Sequence, residues 1–224
     1  MTLSVDLYWS FRSPYSYLAT SRLVAMSRDY DVDFVVKIVA PLALRDPAFF
    51  ERSDPRWLQY TFIDVARVAQ MLGLPIGPPN PDPIVQNIET RAIAADQPHI
   101  FRLLRLGVLA AEQGRGLAFI DEVSRLIWSG TPQWNEGSHL QDAAARAGLD
   151  LAAMDAELAR DPGRLDAIVE KNEAEQSTSG HWGVPLMVFN AEPFFGQDRI
   201  DCLLWRMQQH GLSPREGIPD GAHA

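Results

Sequence analysis

The chain has 224 residues, 46% of them hydrophobic and 22% charged, as expected for one globular domain or one domain with a large insertion. Its formal net charge of −9 argues against nucleic acid or an anionic membrane as a partner. No secretory pattern follows Met1 and no apolar run approaches the length of a membrane span, so we expect a cytoplasmic protein.

The cysteine and histidine content limits the chemistry. Cys202 is the only cysteine, so the chain forms no intramolecular disulfide and has no Cys-x-x-Cys pair. It lies in an apolar helical pattern, which predicts a small, buried side chain. The five histidines show no ligand spacing, and we predict no metal site.

The chain begins with a strand that runs straight into a helix. Apolar and polar residues alternate over 4–9, as in a strand. Pro14 has no N–H and its φ already suits a first helical turn, so Ser13 is the expected N-cap. The Ser13 hydroxyl should lie where free backbone N–H groups and the positive end of the helix dipole converge, a place suited to an anion. An ordinary helix cap is the alternative interpretation.

A second strand and a long helical segment follow. Residues 32–39 are nearly all β-branched or aromatic, which is typical of a buried parallel strand. Between 41 and 180 the pattern is helical. We expect the first long helix of this segment to have an apolar face made of Trp57, Tyr60, Phe62, Val65, Val68 and Leu72. A proline-rich connector covers 74–83. The predicted helices are 55–74, 98–113, 118–129, 138–147, 151–159 and 164–176.

Strand character returns at Gly183-Val184-Pro185 and the apolar residues after it. Because Pro185 cannot donate to a ladder, a cis Val184–Pro185 peptide beside the first helix would explain a strand that begins at proline. A turn at 190–192, a short strand at 193–195 and a last helix at 198–210 complete the pattern. The order βαβ, helical insertion, ββα predicts an α/β protein: a thioredoxin-like fold split by a large all-helical insertion. The predicted parts are a discontinuous thioredoxin-like domain (1–40 plus 181–215), a helical insertion (41–180) and a flexible tail (216–224).

Three motifs resemble the 2-hydroxychromene-2-carboxylate isomerase family: Ser-Pro-Tyr-Ser-Tyr-Leu-Ala, Gly-Val-Pro and Phe-Phe-Gly-Gln-Asp-Arg. That family is related to kappa-class glutathione transferases and to DsbA-type disulfide oxidoreductases. The resemblance implies a homodimeric, glutathione-dependent cis–trans isomerase of aromatic-compound degradation. It implies that Ser13 is catalytic and hydrogen-bonds the glutathione sulfur. It also implies that Val184 and Pro185 hold the cysteinyl part, and that Gln197 and Asp198 hold the γ-glutamyl part.

Two positions depart from the family pattern, and the first is Ser10, where relatives often have Asp. The second is a missing lysine. Relatives often carry a lysine in the early insertion helix, where it meets the glycyl carboxylate of glutathione. Here Trp57 aligns with that lysine, and the only lysines are Lys37 and Lys171. Arg56 is the candidate replacement, with a solvated arginine as the alternative.

The implied chemistry is reversible addition of a thiolate to a conjugated double bond, which needs no protein cysteine. Two alternatives remain open: a kappa-like glutathione transferase acting on hydrophobic electrophiles, and a non-catalytic thioredoxin-like binding protein. A disulfide oxidoreductase is disfavoured, because Ser13 stands where the attacking cysteine would be. His181 and Trp182 line a substrate slot or form a packed loop pair, and Arg12 and Arg91 meet an anionic substrate or face solvent.

Overall fold

A computed structural model describes residues 2–87, 90 and 92–215, with the side chains of Phe50 and Glu51 left aside. The predicted tail, 216–224, lies outside the described residues. The strands are β1 (Leu3–Trp9), β2 (Val32–Ile38), β3 (Leu186–Phe189) and β4 (Glu192–Phe195). The helices are α1 (Pro14–Asp29), α2 (Leu42–Arg45), α3 (Phe49–Arg52), α4 (Pro55–Leu72), α5 (Ile100–Glu112), α6 (Gly116–Trp128), α7 (His139–Arg146), α8 (Leu151–Arg160), α9 (Pro162–Thr178) and α10 (Ile200–Gln208), the last preceded by a 3-10 turn, Gln197–Arg199.

The four strands form one sheet in the order β2-β1-β3-β4. β1 runs parallel to β2 and antiparallel to β3, so Leu7 pairs with Val36 on one side and Met187 on the other. β3 and β4 form a hairpin whose turn residues, Asn190 and Ala191, have φ of 49° and 65°. This arrangement confirms the predicted α/β fold, with a βαβ unit and a ββα unit separated by helices.

β3 is an interior strand even though a proline stands directly before it. Its ladder begins at Leu186, so the missing N–H of Pro185 removes no ladder bond. The Val184–Pro185 peptide is cis, as predicted, and so is Asn80–Pro81 in the connector.

The helical insertion shares its core with the sheet. α5 and α9 pack against β2, and α6 packs against α1. Buried side chains of β1 such as Leu7 and Trp9 therefore belong to one continuous cluster with Leu104 of α5 and Phe119 of α6. Within the described residues, no helix is both long enough and apolar enough to cross a membrane.

The apolar face predicted for α4 is confirmed in its second half, where Val65 and Val68 are buried and Leu72 packs against them, and is wrong in its first half. Trp57, Tyr60 and Phe62 are 43%, 58% and 67% exposed. The reason is that α4 packs against α1 through its second half, where the buried residues meet Tyr17 and Leu18. The first turns of α4 carry their aromatic side chains along the surface.

The burial predicted for Cys202 is also wrong, because its side chain is exposed. α10 faces the core with Ile200, Leu203 and Met207. A helix turns by about 100° per residue, so Cys202 lies roughly 200° from Ile200 and points away from the core.

Candidate functional site

The first helix begins as its sequence predicts. Ser13 is the N-cap of α1, in an extended conformation with φ −100° and ψ 114°, and Pro14 is the first helical residue. The Ser13 Oγ accepts a hydrogen bond from the N–H of Ser16 at 3.1 Å. The first turn contains no acidic side chain. The positive end of the helix dipole is therefore not neutralised from within the helix.

Ser13 and the Gly-Val-Pro motif lie together although they are 171 residues apart in sequence. The Ser13 Oγ donates to the carbonyl oxygen of Val184 at 3.4 Å, a long and therefore weak bond. Within the described part of the chain, no acceptor bonds the N–H of Val184. The next carbonyl, that of Pro185, is occupied by the N–H of Gly196 at 2.9 Å. The site therefore combines the Ser13 hydroxyl with the backbone of Val184, whose N–H has no acceptor among the described residues.

The start of the last helix lies beside the same end of α1. Gln197 is buried, and its carbonyl oxygen accepts a hydrogen bond from Arg22 of α1 at 2.9 Å. Asp198 is exposed and forms an ion pair with Arg199. Burial and the hydrogen bond to Asp64 are the main causes that raise the pKa of Tyr15, and the charge of Asp198 makes a smaller contribution in the same direction. The 3-10 turn that contains Asp198 also contacts α1 directly.

Arg56 is engaged elsewhere. Its guanidinium and its backbone N–H both bond the carboxylate of Asp54, which caps α4. The Arg56 side chain is 87% exposed. Its pKa is raised by the Asp54 hydrogen bond. The structure thus brings Ser13, Val184, Pro185, Gln197 and Asp198 to neighbouring loops but gives Arg56 a partner within its own helix.

An aromatic row, which the sequence did not reveal, borders the loop before Pro185. It consists of Trp57, Phe49, Trp182, His181 and Phe195, with ring centroids separated in turn by 5.6, 5.2, 5.3 and 3.7 Å. The first three distances are those of ordinary aromatic contacts, and His181 and Phe195 stack more closely, with their rings 16° from parallel. The only sequence signal was the position of His181 and Trp182 just before Gly-Val-Pro, because Phe49 and Trp57 belong to the insertion.

The two residues before Gly183 have different surroundings, since His181 packs against another ring and Trp182 is exposed. His181 stacks on Phe195, and its Nδ1 accepts the N–H of Gly183 at 2.9 Å. Burial lowers the pKa of His181. Trp182 is 50% exposed, so the interpretation of the two residues as a packed loop pair does not describe Trp182. Its ring forms part of an open surface beside the loop.

Of the two other candidate cations, the structure describes only Arg12. Arg12 forms a bidentate ion pair with Asp82 at 2.7 and 2.8 Å and also donates to Gln86, so it ties the first loop to the connector. Arg91 lies outside the described residues. Over the described ranges, no group of three or more His, Cys, Asp or Glu side chains could hold a metal ion.

The fold and these loops define a class, the thioredoxin-like proteins with a helical insertion. The family model for the DsbA-like thioredoxin domain matches residues 4–208, so the chain belongs to that family. No curated protein sequence matches the chain.

Solved structures share the fold. A 2-hydroxychromene-2-carboxylate isomerase is 23% identical over 93% of this chain and 96% of its own, with a TM-score of 0.68. A probable DsbA oxidoreductase from Streptomyces coelicolor is 21% identical over 97% and 94%, with a TM-score of 0.66. The cytosolic disulfide reductase DsbM from Pseudomonas aeruginosa, in its structure with GSH, is 17% identical over 93% and 100%, with a TM-score of 0.57. At these identities the similarity concerns the fold alone.

Proposed function

We propose that the chain is a glutathione-dependent isomerase that acts on a conjugated double bond of an aromatic-degradation intermediate, similar to 2-hydroxychromene-2-carboxylate isomerase. The observation that carries this proposal is the contact between the Ser13 hydroxyl and the Val184 carbonyl, next to the cis peptide at Pro185. It supports a site in which a peptide-like thiol lies against the start of α1.

Most of the contacts that glutathione needs have a counterpart here. The free N–H and weakly bonded carbonyl of Val184 suit the peptide groups around a cysteinyl residue. Asp198 and the helix start at Gln197 suit an ammonium group and a carboxylate. The glycyl carboxylate is the exception, since Arg56 is bound to Asp54. The residues therefore fit the cysteinyl and γ-glutamyl parts, and the DsbM structure with GSH supports the same ligand in this fold.

The proposed role of Ser13 follows from the weak hydrogen bond that its hydroxyl donates to the Val184 carbonyl. Glutathione supplies a thiolate, which adds reversibly to a conjugated alkene and so allows rotation about that bond. The Ser13 hydroxyl can turn from the 3.4 Å bond with Val184 and donate to a sulfur anion instead. The free N–H groups of α1 add positive potential at the same place. Each unit by which they lower the thiol pKa corresponds to about 1.4 kcal/mol.

The aromatic row provides a place for the substrate ring. A planar unsaturated ring would stack on the exposed face of Trp182, and ring stacking contributes about 0.5–1.5 kcal/mol beyond burial. A second candidate function, a kappa-like glutathione transferase, is favoured by the openness of the same row. Product analysis separates the two, because a stable glutathione adduct indicates transfer and alkene inversion without an adduct indicates isomerisation.

The decisive variant is Ser13→Ala. We expect the absorbance of the bound thiolate at 240 nm to fall and turnover to decrease by about 10²–10³-fold, as when one donor to a developing anion is removed. Ser138→Ala is the matched control, because Ser138 also stands at a helix start, that of α7, where its hydroxyl bonds Asp142. Unchanged turnover in Ser13→Ala, or no glutathione binding by the wild type, would contradict the proposal.

A further inference from the structure

We propose that Arg45 and Gln176 are positioning residues, which hold the loop 181–184 so that the backbone of Val184 faces Ser13. The loop would be held in place to bind glutathione, so this inference rests on the proposed function. The loop geometry itself does not depend on any ligand. Neither residue belongs to a motif, and Arg45 is 131 positions from Gln176 in sequence.

Gln176 is fully buried and uses both ends of its side-chain amide. Its Nε2 donates to the carbonyl of Gly183 at 2.8 Å, and its Oε1 accepts from Arg45 Nη1 at 3.0 Å. A buried amide satisfied at both ends fixes its partners in position, because leaving either end unpaired costs about 1–3 kcal/mol. Gln176 lies near the end of α9, so it ties the loop to the helical insertion.

Arg45 connects the same loop to the end of β2. Its Nε donates to the carbonyl of Ala40 at 2.8 Å, and its Nη2 donates to the carbonyl of Trp182 at 3.2 Å. Within the described residues no carboxylate lies in ion-pair distance of this guanidinium. Burial lowers the pKa of Arg45, and the more distant charge of Glu173 opposes that effect in part. The guanidinium thus uses its planar array of donors on two backbone carbonyls and one amide, which a lysine could not reproduce.

The hydrogen bonds of the loop can be followed group by group. The Trp182 carbonyl is bonded by Arg45, the Gly183 carbonyl by Gln176, and the Gly183 N–H by His181. The Val184 carbonyl is bonded by Ser13. Among the described residues, the N–H of Val184 has no acceptor, and neither have those of His181 and Trp182. The network therefore fixes the loop through its carbonyl groups and leaves the Val184 N–H open to a ligand.

If Arg45 and Gln176 had only a structural role, replacing them would lower the stability of the protein without a specific effect on the loop 181–184. The test is Gln176→Met, which keeps the length and the buried volume but removes both hydrogen bonds. Gln97→Met is the matched control, because Gln97 is also buried and its amide bonds the backbone of Val85 and Ala94 in the connector. Both variants should lose similar thermal stability.

Two readouts separate positioning from stability. Without glutathione, amide hydrogen exchange of peptides covering 181–184 should accelerate about tenfold in Gln176→Met, as expected for the loss of about one hydrogen bond, and should not change in Gln97→Met. Glutathione binding measured by calorimetry should weaken about tenfold in Gln176→Met only. Arg45→Lys keeps the charge and, in our interpretation, shows the same loop exchange as Gln176→Met.

Three results would overturn the inference: unchanged exchange at 181–184 in Gln176→Met, equal effects of the two glutamine variants at that loop, or wild-type behaviour of Arg45→Lys. If the wild type binds no glutathione, the proposed function fails, while the exchange measurement still decides the role of the two residues. If Gln176→Met does not fold, Arg45→Lys and Gln97→Met carry the same comparison.

Discussion

The starts of α1 and α4 have the same local chemistry. Each helix has a capping side chain followed by proline: Ser13 with Pro14, and Asp54 with Pro55. In each, an oxygen of the cap accepts a backbone N–H of the first turn, at 3.1 Å in α1 and 2.9 Å in α4. By sequence alone, both would be considered ordinary helix starts.

Their surroundings differ. The α1 cap is neutral, and the loop before Pro185 lies against it. The α4 cap is an exposed carboxylate that is already paired with Arg56. An anion that approached α4 would meet a negative charge, whereas one that approached α1 would meet a hydroxyl and a free peptide N–H. The cap becomes a candidate site through its tertiary contacts and its lack of charge.

The largest effect is expected from giving α1 the cap of α4, in Ser13→Asp. Asp is as good a cap as Ser, so thermal stability should change little. The added carboxylate repels a thiolate, and we expect turnover to fall by at least about 10²-fold and the absorbance of bound thiolate at 240 nm to disappear. Retained thiolate absorbance in a folded Ser13→Asp protein would mean that the sulfur binds elsewhere.

The next effect comes from the loop that distinguishes the two starts. In Gly183→Ala the new methyl group would overlap the ring of Phe195 and approach His181 to 3.0 Å. We expect a loss of about 1–3 kcal/mol in the free energy of unfolding, because a packed pair of rings must move. Gly163→Ala is the control, since its methyl group would come no closer than 4.0 Å to another residue. If the two variants unfolded at the same urea concentration, the rings of His181 and Phe195 would move aside at little cost in free energy.

The missing family lysine predicts a gain of function at α4. In Trp57→Lys, a cation replaces the ring that meets Phe49 edge to face. We expect glutathione to bind up to about fivefold more tightly, in line with an exposed ion pair of at most about 1 kcal/mol. Met71→Lys adds the same charge to an exposed position of the same helix and should not affect binding. The gain should shrink as salt is added. Calorimetric titration of the two variants, equal within error, would remove Trp57 from the site.

The loop should also respond to pH through His181. Burial lowers the pKa of His181, so below its ordinary value of 6.5 the unfolded chain binds this proton more readily than the folded one. The stability that the neutral ring contributes is complete above pH 6.5 and is lost as the pH falls through the lowered pKa. In His181→Asn, whose side-chain oxygen can still accept the Gly183 N–H, the Tm should fall less between pH 7 and 5 than in the wild type. Parallel Tm curves would contradict this assignment.

Local patterns predicted much of this structure. The period of two found β1, the cap and proline found the start of α1, and glycine, valine and proline together predicted the cis peptide. All six helices predicted for the insertion begin and end within two residues of their predicted bounds, whereas the short helices α2 and α3 were not predicted. These features depend on near neighbours in sequence, which periodicity and turn chemistry report directly.

Long-range pairing could not be predicted in the same way. The exposed face of α4 depends on which of its turns meets α1, and the ion pair between Arg12 and Asp82 depends on the path of the connector. The contact between Arg45 and Gln176 joins two polar residues that have no periodic signal. Sequence reasoning therefore found Ser13 and Val184 but missed Arg45 and Gln176, which bond the loop 181–184.

The smallest effect is expected from the reciprocal change, Asp54→Ser, which gives α4 the cap of α1. Serine should still accept the backbone N–H of Arg56, so α4 should form normally. The guanidinium of Arg56 loses the carboxylate that binds it in the wild type. No loop comparable to 181–184 is bonded to this cap in the described part of the chain, so we expect no new thiolate absorbance and unchanged glutathione binding. Stronger binding in calorimetry would mean that Asp54 restrains Arg56 from a ligand carboxylate. That result would revive Arg56 as the replacement for the family lysine, and the combined variant Asp54→Ser with Arg56→Gln would then return binding to the wild-type value.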